Sequence, residues 1–159
     1  MRKYSKRFIH LNIFYLFISS FFIVSCSTYY ISIDNFKQQF KDIDSNHLKM
    51  AKVVQPNGEQ LVYPSNKIDT IYCADENNKP VKLLNSPSIE IIFTDNNDVK
   101  TKFYFDTVFL QDSIVIGSTL RFLPILRDKI LIKNIKLIEV QEEENDYKYY
   151  IEPIVMPRI

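Results

Sequence analysis

Thr107-Val108-Phe109-Leu110-Gln111-Asp112-Ser113-Ile114-Val115-Ile116-Gly117 is the stretch that decides how this chain is read. Two short runs of β-branched, aromatic and aliphatic residues, 107–110 and 113–117, flank the polar pair Gln111-Asp112, which predicts strand, turn and strand. The same rhythm continues downstream, with 129–132, a polar break at Lys133-Asn134, and 135–141. Upstream, Asp95-Asn96-Asn97-Asp98 separates 89–94 from 99–106, and Asn57-Gly58 separates 50–54 from 60–63, giving two more hairpins. Within 99–106, Val99, Thr101, Phe103 and Phe105 alternate with Lys100, Lys102, Tyr104 and Asp106, the pattern of a sheet with one wet face. Another strand is expected over 68–74, closed by a polar loop over 75–80. The apolar segment 120–126 contains Pro124 and reads as a loop covering a barrel mouth. A solvated hairpin tip over 142–146 is expected to return the chain as a last strand over 147–151, and Pro153 and Pro157 end regular structure.

Short strands with close polar breaks predict a mainly β fold, a small antiparallel barrel or rolled sheet. One N-terminal helix is added to it. Ser32 or Asp34 is placed to cap a helix running to about Ile43, with Ile33, Phe36, Phe40 and Ile43 on one face and Lys37, Gln38, Lys41 and Asp42 on the other. That Phe face is expected to pack on its own domain. No internal repeat or second domain is visible, so 34–159 reads as one β-rich domain.

The first 25 residues have a different character. Arg2, Lys3, Lys6 and Arg7 form a basic stretch, and an uncharged apolar run follows to Val24, the order of a secretory signal peptide. His10 and Asn12 interrupt its upstream side, leaving less than the ~18–20 apolar residues of a spanning helix. Then comes Ile23-Val24-Ser25-Cys26. It resembles the lipobox of bacterial lipoproteins: an aliphatic residue, a small or β-branched one, a small one, then cysteine. The resemblance implies cleavage before Cys26, a thioether from its thiol to diacylglycerol, and acylation of the freed amine. Two or three chains give stable anchoring, because each buried methylene adds about 0.8 kcal/mol. Residues 26–33 are then a lipidated cysteine and a short tether. Ser27 rather than Asp follows the cysteine and no acidic cluster comes next, which implies the outer membrane with the domain facing the periplasm. From Asn85 to Val140 the chain is similar in texture to small uncharacterised lipoproteins of the Bacteroidota. The stretches that carry this are Asn85-Ser86-Pro87-Ser88-Ile89-Glu90, Phe103-Tyr104-Phe105-Asp106-Thr107 and Ile135-Lys136-Leu137-Ile138-Glu139-Val140. No activity comes with that similarity.

Composition narrows the chemistry. The whole chain carries a formal charge of +1, but without the four leader cations sixteen basic residues face nineteen acidic ones, a net of −3. A nucleic-acid partner is therefore disfavoured, as is attraction to anionic headgroups. Two glycines cannot build a phosphate-cradling loop, and two cysteines with two histidines do not make a structural zinc site. With Cys26 lipidated, Cys73 has no disulfide partner in the chain and reads as a small buried hydrophobe. His47 is the one histidine beyond the leader that could activate it. Asp69, Glu90 and Asp106 lie in or beside predicted strands and read as outward-facing residues, with no spacing that pairs them. The loop from Asp95 has Val99 and Lys100 where a calcium loop needs a ligand and a glycine. No cofactor, metal or catalytic group is expected.

Tyr147, Tyr149 and Tyr150 crowd the last predicted strand and form the candidate binding strip, while Tyr29-Tyr30 beside the anchor are expected at the membrane interface. The sequence thus points to an anchored, non-catalytic binding or scaffolding module with an envelope protein as partner. The alternative is a carrier of an apolar small molecule inside a β-barrel cavity.

Overall fold

The computed structural model describes residues 27–43, 48–66, 68–120, 126–142 and 147–150. In chain order it contains β1 (Thr28–Tyr30), α1 (Ile33–Phe40), β2 (Lys49–Val54), β3 (Gln60–Ser65), β4 (Thr70–Ala74), β5 (Pro80–Leu84), β6 (Ile89–Asp95), β7 (Lys100–Tyr104), β8 (Phe109–Gln111), β9 (Ile114–Ser118), β10 (Arg127–Leu131), β11 (Ile135–Glu142) and β12 (Lys148–Tyr149). Their pairings are antiparallel and make three sheets: β5-β4-β1-β11-β6-β7, β10-β9-β8 and β12-β2-β3. Among the described residues the fold is mainly β with one α-helix, as expected. The sheets do not close on themselves, so the open, rolled form is found and the barrel is not.

Helix α1 forms where the spacing predicts it. Ser32 is the N-cap, its Oγ accepting from the amide of Asn35 at 3.3 Å. Phe36 and Phe40 are fully buried and stack with centroids 4.4 Å apart. Phe36 meets Phe93 of β6 edge-on at 5.5 Å, and Phe40 meets Phe105 at 5.5 Å. Ile71, Ile91, Phe103, Ile138 and Val140 complete the same face of the large sheet, and β9 packs against β7 with Val115 in the same core. Gly117 makes that approach possible: a Cβ there would lie 2.6 Å from Cγ of Phe103.

The stretch expected to be a tether is part of the fold. Thr28–Tyr30 is a strand in the middle of the large sheet, with Tyr29 opposite Val140 and Tyr30 opposite both Glu139 and Ala74. Three residues are too few to pair along all of β4, and the backbone of Tyr72 would otherwise be left open there. Side chains of α1 complete it: Gln39 Oε1 accepts from the Tyr72 amide at 2.9 Å, while Gln39 Nε2 and Asn35 Nδ2 donate to its carbonyl at 2.9 and 3.1 Å.

Three hairpins turn through one local design. In Gln55–Glu59, Asp75–Lys79 and Asp95–Val99 the first amide bonds the fifth carbonyl, and the fourth amide bonds the first carbonyl. The fourth residue then has positive φ: Gly58 at 85°, Asn78 at 59° and Asp98 at 65°. In the latter two, the opening aspartate also accepts from the third and fifth amides, at 2.8 and 2.9 Å in each turn. Asp95 is thereby committed to its own turn.

Other expectations need correction. Pro80–Leu84, expected in part as loop, is the edge strand β5; it begins with proline, which an edge tolerates. The β8–β9 turn is Asp112-Ser113, one residue later than expected, with Asp112 at φ 55°. Strand β12 does not return onto β11 but crosses to β2, with Tyr149 opposite Val53. Of the expected covering loop only the exposed Leu120 and Leu126 are described, and residues 143–146 of the expected hairpin tip lie outside the described residues.

Candidate functional site

The strand β7 ends at Tyr104, and Phe105–Thr107 form a single 3-10 turn. That turn breaks the two-residue alternation, so Phe105 and Asp106 both go inward and both are fully buried. This overturns the expectation that Asp106 faces water. Its carboxylate is met by the small sheet: the hydroxyl of Tyr63 on β3 donates to Oδ2, and that of Tyr149 on β12 donates to the same oxygen at 3.0 Å. Asn66, just past β3, holds the turn by its backbone. Its Nδ2 donates to the carbonyls of Phe105 and Val108 at 2.7 and 2.9 Å, and its amide donates to the Asp106 carbonyl at 2.7 Å. Two phenols and a carboxylate thus join the small sheet to the end of the large one.

Glu90 also departs from expectation. Its alternation puts it on the outer face, but its side chain is only 2 % exposed. Lys102 Nζ lies 2.6 Å from Oε1, and Gln141 Nε2 donates to Oε2 at 3.5 Å. Asp69 is exposed, as expected. Cys73 points into the core from β4, its thiol donating to the Val81 carbonyl at 3.6 Å, and burial pushes that thiol above its ordinary range. Asp69, Cys73 and Glu90 therefore face three different surroundings and are not brought together. Among the described residues no group of three or more His, Cys, Asp or Glu is arranged to hold a metal ion.

The tyrosine strip divides by face. Tyr149 is half-buried and its hydroxyl is committed to Asp106, whereas Tyr150 is exposed with Lys52 Nζ 4.0 Å from its ring centroid. Tyr147 is half-buried, and its carbonyl accepts from Ser88 Oγ at 3.4 Å. Of the anchor-side pair, Tyr29 packs against the core rather than standing free at an interface. Cys26, the lipobox residues Ile23, Val24 and Ser25, and His47 lie outside the described residues.

Beside the junction runs a cleft of about 200 Å³ whose walls include Lys49, Ser65, Asn66, Asp69, Asn85 and Tyr149. Asn85 Nδ2 donates to the Ile68 carbonyl at 2.7 Å, and its buried Oδ1 has no hydrogen-bond partner among the described residues. Such walls can offer hydrogen bonds to a polar group. Sequence reasoning missed the Tyr63–Asp106–Tyr149 cluster and Asn66. The local signal for it was Asp106-Thr107, two turn-favouring residues at the end of an otherwise alternating strand.

No family model matches the chain, and neither a curated protein nor a solved structure matches it significantly.

Proposed function

We propose that this protein is a lipid-anchored module of the bacterial cell envelope that binds another envelope protein and catalyses no reaction, held at the outer membrane and facing the periplasm. One observation carries the reading. The lipobox-like Ile23-Val24-Ser25-Cys26 ends two residues before Thr28, the first residue of β1, so a lipid on Cys26 holds a folded domain at the bilayer with almost no slack. Among the described residues the carboxylates are scattered and Cys73 is buried in the core, which supports binding over catalysis. The carrier alternative has less support, because Phe36, Phe40, Phe93, Phe103 and Phe105 fill the space between helix and sheet.

The test is chemical cross-linking in intact cells, with mass spectrometry of the tagged protein's products and Cys26→Ala as the control. A defined envelope protein captured by the natural chain and lost from the variant is the expected result. Free protein alone in both samples would remove the binding role.

A further inference from the structure

We infer, on the binding reading above, that the partner protein docks on the outer face of the small β12-β2-β3 sheet and lays there an amphipathic helix whose apolar stripe is flanked by Asp or Glu. Register puts Met50 and Lys52 of β2 on that face, opposite Pro64 and Val62 of β3. Tyr150, just past β12, joins them: its amide donates to the Lys52 carbonyl at 2.8 Å, and Lys52 Nζ lies 4.0 Å from its ring centroid. Lys148, two residues earlier, shares the face. The inner face of the same sheet buries Val53 and Tyr63 completely, whereas outside Met50 is 63 % exposed, Val62 57 % and Tyr150 37 %. Apolar side chains gathered on one sheet face with cations among them make a docking surface.

Charge selects the partner. Strands β2, β3 and β12 contain Lys49, Lys52 and Lys148 and no carboxylate, although the chain beyond the leader has a net charge of −3. A basic sheet on an acidic protein fits an acidic surface. A second copy laid face to face would set lysines against lysines, so the partner is a different chain. Shape selects the helix. Gln55 donates to the Glu59 carbonyl and hydrogen-bonded pairs alternate from there, so Val62 and Pro64 turn their backbone groups to the free edge of β3. Pro64 has no N–H to offer, which closes that edge to an added strand and leaves the face as the approach. Six residues of β2 at ~3.4 Å per step and three strands about 4.8 Å apart make a patch of roughly 17 by 10 Å. About three turns of helix have that footprint. Helix α1 covers the large sheet in the same manner, with Phe36 and Phe40 laid on it.

The test places the photoreactive amino acid p-benzoylphenylalanine at Val62 of the full-length protein in the cells that make it. The same group at Leu84 of β5, also exposed, is the comparison. Mass spectrometry of the adduct maps the residues it touches. The expected adduct lies on an envelope protein, in a segment with apolar residues at helical spacing beside Asp or Glu, and forms far more at Val62 than at Leu84. Lys52→Glu should cut its yield at least about fivefold and Lys52→Arg should keep it, because reversing the charge sets like charges together. Lys148→Glu, which leaves the Lys52–Tyr150 contact untouched, should act in the same direction as Lys52→Glu. Equal yields at Val62 and Leu84, a basic segment at the adduct, or a yield indifferent to both charge reversals would overturn the inference. So would an adduct with lipid or with a second copy of the chain. No adduct at Val62, in cells where the chemical cross-linker captures an envelope protein, would overturn this surface and leave the binding role standing. Capture by neither method would overturn both.

Discussion

The large sheet is covered on one face by the buried phenylalanines of α1, whereas the small sheet is fastened to its end through a buried carboxylate. Phe36 and Phe40 lie among Phe93, Phe103 and Phe105 with ring centroids 4.4–5.8 Å apart. At the junction, Tyr63 and Tyr149 reach one oxygen of Asp106. The difference teaches that two kinds of cohesion coexist here. Packing of rings is non-directional and tolerates small shifts, while the carboxylate junction works only if both hydroxyls arrive at their places. Because the partners of a buried polar group must all be present, losing either hydroxyl should loosen the junction while leaving the ring cluster in place.

Substitutions can break that comparison. Phe40→Ala should have the largest effect, about 3–5 kcal/mol of stability lost in urea unfolding, with the transition still cooperative. A loss under about 1 kcal/mol would mean the rings are not the core. Asp106→Ala should cost about 2–4 kcal/mol, because it strands two hydroxyls, one of them on the fully buried Tyr63. Asp106→Asn, which keeps an acceptor, should cost clearly less; equal losses would mean that charge rather than hydrogen bonding holds the junction. Tyr149→Phe should cost about 1 kcal/mol and raise amide exchange in β12 and β2 while leaving β6 and β11 protected. Exchange rising equally in all four strands would erase the distinction between the two regions.

Two further substitutions sharpen it. Gly117→Ala should lower stability by about 1–3 kcal/mol, because the new methyl meets the Phe103 ring at 2.6 Å. The smallest effect is a gain. Asn78→Gly should stabilise by a few tenths to about 1 kcal/mol by relieving a positive φ. Asp98→Gly should gain less, since Asp98 also pairs with Lys136. Thermal melts of the two variants side by side read that order directly.

What could be read from the sequence follows the same division. The helix face and the hairpins at Asn57-Gly58 and Asp95–Asp98 were legible, because Phe36–Phe40 spacing and polar turn residues are local signals, whereas the hairpin at Asp75–Lys79 read only as a loop. Alternation also put Phe103 on the buried face correctly. It failed at Asp106, where one 3-10 turn resets which side is inward, and no local pattern announces a partner 43 residues away at Tyr63. The strand β1 was missed because three residues next to a predicted cleavage site look like a tether. Its neighbours β4 and β11 are contributed by distant parts of the chain. Of the tyrosine strip, the sequence supplied the residues but not their faces, since β12 leaves the hairpin partner expected for it and pairs with β2.

The most direct test of the account is the mass of the membrane-bound protein expressed in a bacterium fed an alkyne analogue of palmitate. The account predicts a chain that begins at Cys26, carries the label on that residue, and loses both label and membrane attachment in Cys26→Ala. A mature protein that begins elsewhere, or that is unlabelled and soluble with Cys26 as a free thiol, would contradict it.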